Sequence, residues 1–272
     1  MKRHWLLLLF PVALIGVLLA VKYFAGSRST KETPPAESGV VLNKMEVAPN
    51  VPKHEIPKGD PATQKHLAPE IVEKISTTLE GYIKEHPNAA DVADAYYNLG
   101  NLYYEAGQYE KAIVPLRKAV AQRPYDSDAH YTLGNAYDKL KRYSEAAKEF
   151  ELMTKIEPKN DSVFYNLGNA YSNMKQDQKA GEQYLQALSL NPKNSAAHYA
   201  LGLVYNRQRK AREASEEFQQ AVNLDPNNAE ARYFLAMAKF QNGDRKGAMA
   251  QYDDLKRLSP KYADDLNKRM NP

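Results

Sequence analysis

A repeat of 34 residues constrains this chain more than any other feature it has. "YYNLGNLYYEAGQYEKA" begins at Tyr96, "HYTLGNAYDKLKRYSEAAKEF" at His130 and "FYNLGNAYSNMKQDQKA" at Phe164. Further copies begin at His198 and Arg232, and no insertion or deletion interrupts the five. A fixed period of this size marks one supersecondary unit that must stack on its neighbours to bury its apolar face.

Spacing inside the unit says what it is. Leu99, Leu133, Leu167, Leu201 and Leu235 share one position, and a small residue follows each: Gly100, Gly134, Gly168, Gly202 and Ala236. Three further on stand Tyr103, Tyr137, Tyr171 and Tyr205, with Lys239 in the last unit. After a turn comes a second small position, Ala112, Ala146, Ala180, Ala214 and Ala248. Four later lies a bulky one, Leu116, Phe150, Tyr184, Phe218 and Tyr252, and proline closes each unit at 124, 158, 192, 226 and 260. Steps of three and four are helical. The unit is therefore two antiparallel helices whose small residues let the axes approach while large ones fill the space opposite. The expected fold class is all-α.

These residues resemble the tetratricopeptide repeat (TPR) family across five units: 93–126, 127–160, 161–194, 195–228 and 229–262. The resemblance implies a right-handed superhelix, an α-solenoid of helix-turn-helix repeats. The departures are Lys239 for the aromatic, Met153 and Leu255 where Ala119, Ala187 and Ala221 are small, and Lys141, Lys175 and Arg209 where the turn usually has Gly. "HPNAADVADAYYNLGNLYYEAGQYEKA" further resembles the first repeat of bacterial envelope TPR proteins.

The resemblance also implies a binding surface, because the first helix of each TPR unit lines a concave groove. The groove positions expected here are Tyr97, Tyr131, Tyr165, Tyr199 and Tyr233, then Asn101, Asn135 and Asn169, then Asn98 and Asn166, with Tyr104 and Asp138 further along the helix. Asparagine carries both donors and an acceptor, so a ladder of them can grip a peptide backbone whatever its sequence. Tyrosine adds contact area at low entropy cost. The same residues also occur in TPR sequences as ordinary scaffold, so the assignment waits on geometry. TPR domains that hold chaperone carboxylates use Lys and Arg on these helices. Here Tyr97, Asn101, Thr132, Ser162 and Asn166 stand there instead, which argues against a carboxylate clamp.

Stack ends need covers. Pro69 opens a helix with Ile71, Ile75, Leu79 and Tyr82 on one stripe, giving an N-terminal capping helix within 69–92. Tyr262, Leu266 and Met270 form a stripe for a C-terminal capping helix over 263–272, with Asp264, Asp265, Lys268 and Arg269 on its wet face.

The start of the chain is different in kind. "WLLLLFPVALIGVLLAV" from Trp5 to Val21 carries no charge. At about 1.5 Å per residue it nearly crosses a ~30 Å hydrocarbon layer. Residues 1–25 are expected to form an N-terminal transmembrane helix. A cleaved signal peptide is the rival reading, but the apolar run is long, Lys22 follows at once and no clean A-x-A site appears. Lys2 and Arg3 favour an inside N-terminus, which places the repeats in the periplasm of a bacterium. Residues 26–68, with six prolines and sparse apolar residues, read as a disordered tether.

Composition excludes more than it assigns. The net charge of +4 comes from 37 basic and 33 acidic residues, so nucleic acid is not implied. Without cysteine there are no disulfides or thiolate sites, and no two of the six histidines have zinc-pair spacing. His130 and His198 begin first helices and are read as covering aromatic neighbours. The basic "NRQRKAREASEE" (206–217) reads as a solvated turn. Neither catalytic, metal nor cofactor residues are expected. The expected partners are a protein or peptide and, through the anchor, a lipid bilayer. The leading function is a membrane-tethered interaction scaffold of the cell envelope. The alternative is an accessory subunit presenting substrates to an envelope assembly, secretion or cytochrome maturation system.

Overall fold

Asp126, Asn160, Asn194 and Asn228 punctuate the chain at the repeat period, and each starts a helix. Their side-chain oxygens accept the backbone N–H of Ala129, Ser162, Ala197 and Ala231 at 2.9–3.1 Å. Such caps satisfy donors that the first helical turn leaves orphaned. A proline two residues upstream of each cap keeps the preceding helix from running on.

The structure is a computed structural model and describes residues 68–271. Within them α1 spans Pro69–Glu85. Five helix pairs follow: α2 (Val92–Glu105) with α3 (Tyr109–Gln122), α4 (Ser127–Lys139) with α5 (Tyr143–Ile156), α6 (Asp161–Asn173) with α7 (Asp177–Leu190), α8 (Ser195–Arg207) with α9 (Ala211–Leu224), and α10 (Ala229–Gln241) with α11 (Arg245–Leu258). α12 (Pro260–Met270) closes the series. The expected all-α solenoid is observed. The transmembrane helix of 1–25 and the tether, apart from Ala68, lie outside the described residues.

The turn inside each pair has one residue in the left-handed region. Gly107 and Gly243 take it at φ 72° and 83°, and Lys141, Lys175 and Arg209 take it at φ 59°, 62° and 60°. The three long cations therefore do what glycine does elsewhere, at a backbone cost of about 1–2 kcal/mol each.

The close approach read from the sequence is real. A methyl group added at Gly134, Gly168 or Gly202 would lie 2.6–2.8 Å from the ring of Phe150, Tyr184 or Phe218, and at Gly100 2.5 Å from Leu116. All four large side chains are fully buried. Ala236 breaks this rule, and its opposite number, Tyr252, is only half-buried, with Lys256 Nζ 4.7 Å from the ring centroid.

Each second helix packs on its own partner and on the next first helix, so the core continues from repeat to repeat. The end covers are seated by tyrosines as well as by apolar burial. Tyr82 of α1 donates to Asp91 at 2.6 Å, and Tyr103 of α2 donates to Glu80. At the far end Ala263, Leu266 and Met270 are buried. α12 begins at Pro260, so that proline opens the cover instead of closing the last repeat, and Tyr262 belongs to the cover. Asp265, expected on the wet face, is half-buried and accepts from Tyr233 and from Arg269 Nε.

Candidate functional site

First helices of neighbouring repeats touch: α2 meets α4 and α6 meets α8. They therefore form one continuous face, and the residues expected to bind stand on it in two distinct roles.

The tyrosines form the seam between repeats. Tyr131, Tyr165 and Tyr199 are half-buried and lean on the bulky residue of their own repeat, with ring centroids 6.3, 5.9 and 5.9 Å from Phe150, Tyr184 and Phe218. The Tyr131 hydroxyl reaches forward to the next first helix. Tyr131 accepts from Asn166 Nδ2 at 3.2 Å, and Thr132 acts on the Tyr97 hydroxyl at the equivalent place one repeat earlier. Tyr199 faces Glu230. Burial is the main reason that Tyr97, Tyr104 and Tyr199 titrate above a free tyrosine. They act as neutral hydrogen-bonding groups.

One of the expected positions belongs to this seam and not to the open face: Asn166 is spent on Tyr131. Asn98, at the same place in the first repeat, has no preceding repeat to present a tyrosine and is exposed. Tyr233 leaves the groove altogether. It is buried beneath α12, stacked on Tyr262 at 5.1 Å and bonded to Asp265. The cover that ends the stack has claimed it.

What remains open is an amide row. Asn101, Asn135 and Asn169 sit one per repeat and are half-buried. Asn169 Oδ1 accepts from the Tyr184 hydroxyl at 2.8 Å, which leaves its two N–H donors. The side-chain amides of Asn101 and Asn135 make no hydrogen bond among the described residues, and neither does the Tyr165 hydroxyl. Their amide atoms are open to solvent and uncommitted, with donors and an acceptor to offer a guest. Tyr104, packed against Tyr109 at 5.4 Å, and Asp138 continue the row toward the turns.

The remaining candidates have local partners. His130 Nδ1 lies 2.7 Å from Glu149 Oε2 and its Nε2 3.1 Å from the Pro124 carbonyl; His198 repeats this with Glu217 and Pro192. They are polar ties between helices and not covers for aromatic rings, a role that spacing alone does not reveal. Arg207 pairs with Asp177 at 2.7 Å, Arg212 with Glu216, and Lys210 lies over Tyr205. A separate hollow of about 410 Å³ lies between α1, α2 and α3, lined by Tyr96, Tyr103, Val114 and Pro115 with three lysines. Among the described residues no cluster of side chains fits a metal ion, and no helix is long and apolar enough to cross a membrane.

Tetratricopeptide repeat models match residues 77–127, 103–167, 162–194, 183–214 and 205–266. The chain belongs to the tetratricopeptide repeat family. Among solved structures it is similar to YrrB, a TPR protein with an unusual peptide-binding site: 24% identity, TM-score 0.60, covering 71% of this chain and 99% of that one. It is also similar to pilF of Pseudomonas aeruginosa, at 28% identity and TM-score 0.54, covering 61% of this TPR chain and 76% of that one. A third likeness is to MamA of Desulfovibrio magneticus RS-1, at 24% identity and TM-score 0.58, covering 62% and 96%. No curated protein sequence matches.

Proposed function

We propose that this TPR protein is a peptide-binding scaffold held at a membrane, with the first-helix face as its binding groove. The TPR architecture itself is that of a protein- or peptide-interaction scaffold. The observation that carries the more specific reading is the pair of half-buried, unpartnered amides of Asn101 and Asn135, one repeat apart. Packed helices stand about 8–10 Å apart. Extended chain advances about 3.3 Å per residue. One amide contact for every three peptide residues therefore fits the row without bending the guest. YrrB's description as a peptide binder supports the same class of ligand. The uncharged run at Trp5–Val21 supplies the membrane attachment, and Lys2 and Arg3 favour the periplasmic side for the repeats. A scaffold in that position suits an envelope assembly process, in which it presents a bound segment to a neighbouring enzyme or machine.

The test is a photo-crosslinking residue in place of Tyr165 in living cells. The expected result is a discrete protein adduct that disappears when Asn101→Ala and Asn135→Ala are combined, with the thermal melt unchanged. Adduct formation that ignores both asparagines, or that occurs only from Arg209, would remove the groove reading.

A further inference from the structure

Asp138 is the one carboxylate on the open row, and its surroundings select a ligand. It stands in the last turn of α4, half-buried, and its carboxylate makes neither a hydrogen bond nor an ion pair among the described residues. Burial holds its carboxyl above the usual aspartate range, with Lys139 a smaller opposing influence. Tyr104 lies near enough for the Asp138 and Tyr131 groups to act on its hydroxyl.

The next repeat shows what such a place accepts. There the equivalent residue is Ser172, and Arg207 reaches back from α8 to donate to its hydroxyl at 2.8 Å and to Asp177 Oδ1 at 2.9 Å from Nε. One repeat earlier the counterpart of Arg207 is Asn173, exposed and neutral, while the counterpart of Ser172 is Asp138. So at the Ser172 step the chain supplies its own guanidinium, which bridges that hydroxyl and the Asp177 carboxylate, and at the Asp138 step, where the carboxylate is half-buried, it supplies none. The other charged groups that act on the seam tyrosines are also acidic: Asp128 on Tyr97 and Glu230 on Tyr199.

We propose that Asp138, walled by Tyr104 and Tyr131, binds one Lys or Arg side chain of the extended peptide in the groove. This rests on the peptide-binding reading and adds its side-chain specificity. The carboxylate forms a charge-assisted hydrogen bond with the guest cation. The tyrosine faces attract it through their quadrupoles, and more strongly in a partly desolvated setting. Asn101 and Asn135 hold the peptide backbone on either side, which sets the register of the basic residue.

A positional-scanning library of N-acetylated, C-amidated decapeptides, applied to the full chain in detergent micelles, tests this. Lys and Arg are expected to be enriched at one position. Asp138→Asn should weaken a Lys-bearing peptide about tenfold and leave its Gln analogue unchanged. Asn173→Arg, at an exposed site that cannot disturb folding through the core, should abolish the basic preference by filling the pocket from within. Peptides that bind through Asn101 and Asn135 without any basic preference, or a preference that survives both variants, would overturn the cation pocket while leaving the groove intact. Failure of the wild-type chain to bind any member of the library overturns both.

Discussion

Gly168 and Ala236 occupy the same repeat position and show what a single methyl group decides. At Gly168 the ring of Tyr184 fills the space a Cβ would take, at 2.6 Å, and Tyr184 is buried with its hydroxyl on Asn169. At Ala236 the methyl is present and Tyr252 has moved outward to half-burial. Gly168→Ala should therefore expel Tyr184, break its bond to Asn169 and destabilise the chain by about 1–3 kcal/mol. Urea melts check this, and a loss well below that range would mean the packing takes up the methyl without expelling the ring. This contact was legible in the sequence because volume alternates visibly between small and large positions. The conformation of Lys141, Lys175 and Arg209 was legible only as a departure from glycine: the repeat register placed them in the turn, and all three still adopt positive φ. The fate of Tyr233 was not legible, because nothing in its own repeat says that a terminal helix will lie over it.

Between elements, three of the five helix pairs are tied by exchangeable polar residues, His130, His198 and Arg232, where the other two carry Tyr96 and Phe164. His130 on α4 bridges Glu149 of α5 and the Pro124 carbonyl. Arg232 on α10 bridges Gln251 and Asp254 of α11 and the Pro226 carbonyl in the same way. Both acceptors of His130 call for N–H donors, which suits the imidazolium. Burial alone would lower its pKa, but the Glu149 and Pro124 hydrogen bonds, with the charges of Glu149 and Asp126, outweigh burial and raise it. A raised folded-state value means the protonated form is favoured by folding. That stability is fully present below the free imidazole value of about 6.5 and fades as pH rises through the higher folded value. His130→Arg, copying the fifth repeat, should remove this part of the pH dependence as pH rises from the free imidazole value of about 6.5. Parallel denaturation curves for wild type and variant over that rise measure it, and an unchanged difference at every pH would show that His130 is not protonated in the fold. Sequence reading placed the histidine at the helix start but assigned it a packing role, since the partner glutamate lies on another helix, 19 residues on.

For the whole molecule, the repeats and their covers were legible because periodicity is a long-range signal carried by many residues at once, whereas the binding face was legible only in part. Of its twelve expected positions, those with a second partner in the fold, Asn166 and Tyr233 above all, were indistinguishable in sequence from those without one. The proposed membrane setting of the groove rests on the chemistry of residues 1–25. The run from Trp5 to Val21 carries no charge and is flanked by Lys2, Arg3 and Lys22, the pattern expected of a segment held in hydrocarbon with basic side chains at the interface. Attachment of this kind depends on apolar burial and not on charge, so neither high salt nor alkaline carbonate should release the full chain from membranes, while detergent should. An inside N-terminus further predicts that protease degrades the repeats only after the outer barrier of the cell is opened, with no need to breach the inner one. Replacing Leu8, Leu9 and Val12 by Glu supplies the contrast: the chain should then fractionate away from membranes while the Asn101- and Asn135-dependent crosslink from Tyr165 to its partner falls in yield, because the tether no longer concentrates groove and guest on one surface. Release of the unaltered chain by salt would make the attachment electrostatic or indirect. Digestion only after the inner membrane is breached would reverse the topology and move the partner search to the cytoplasm.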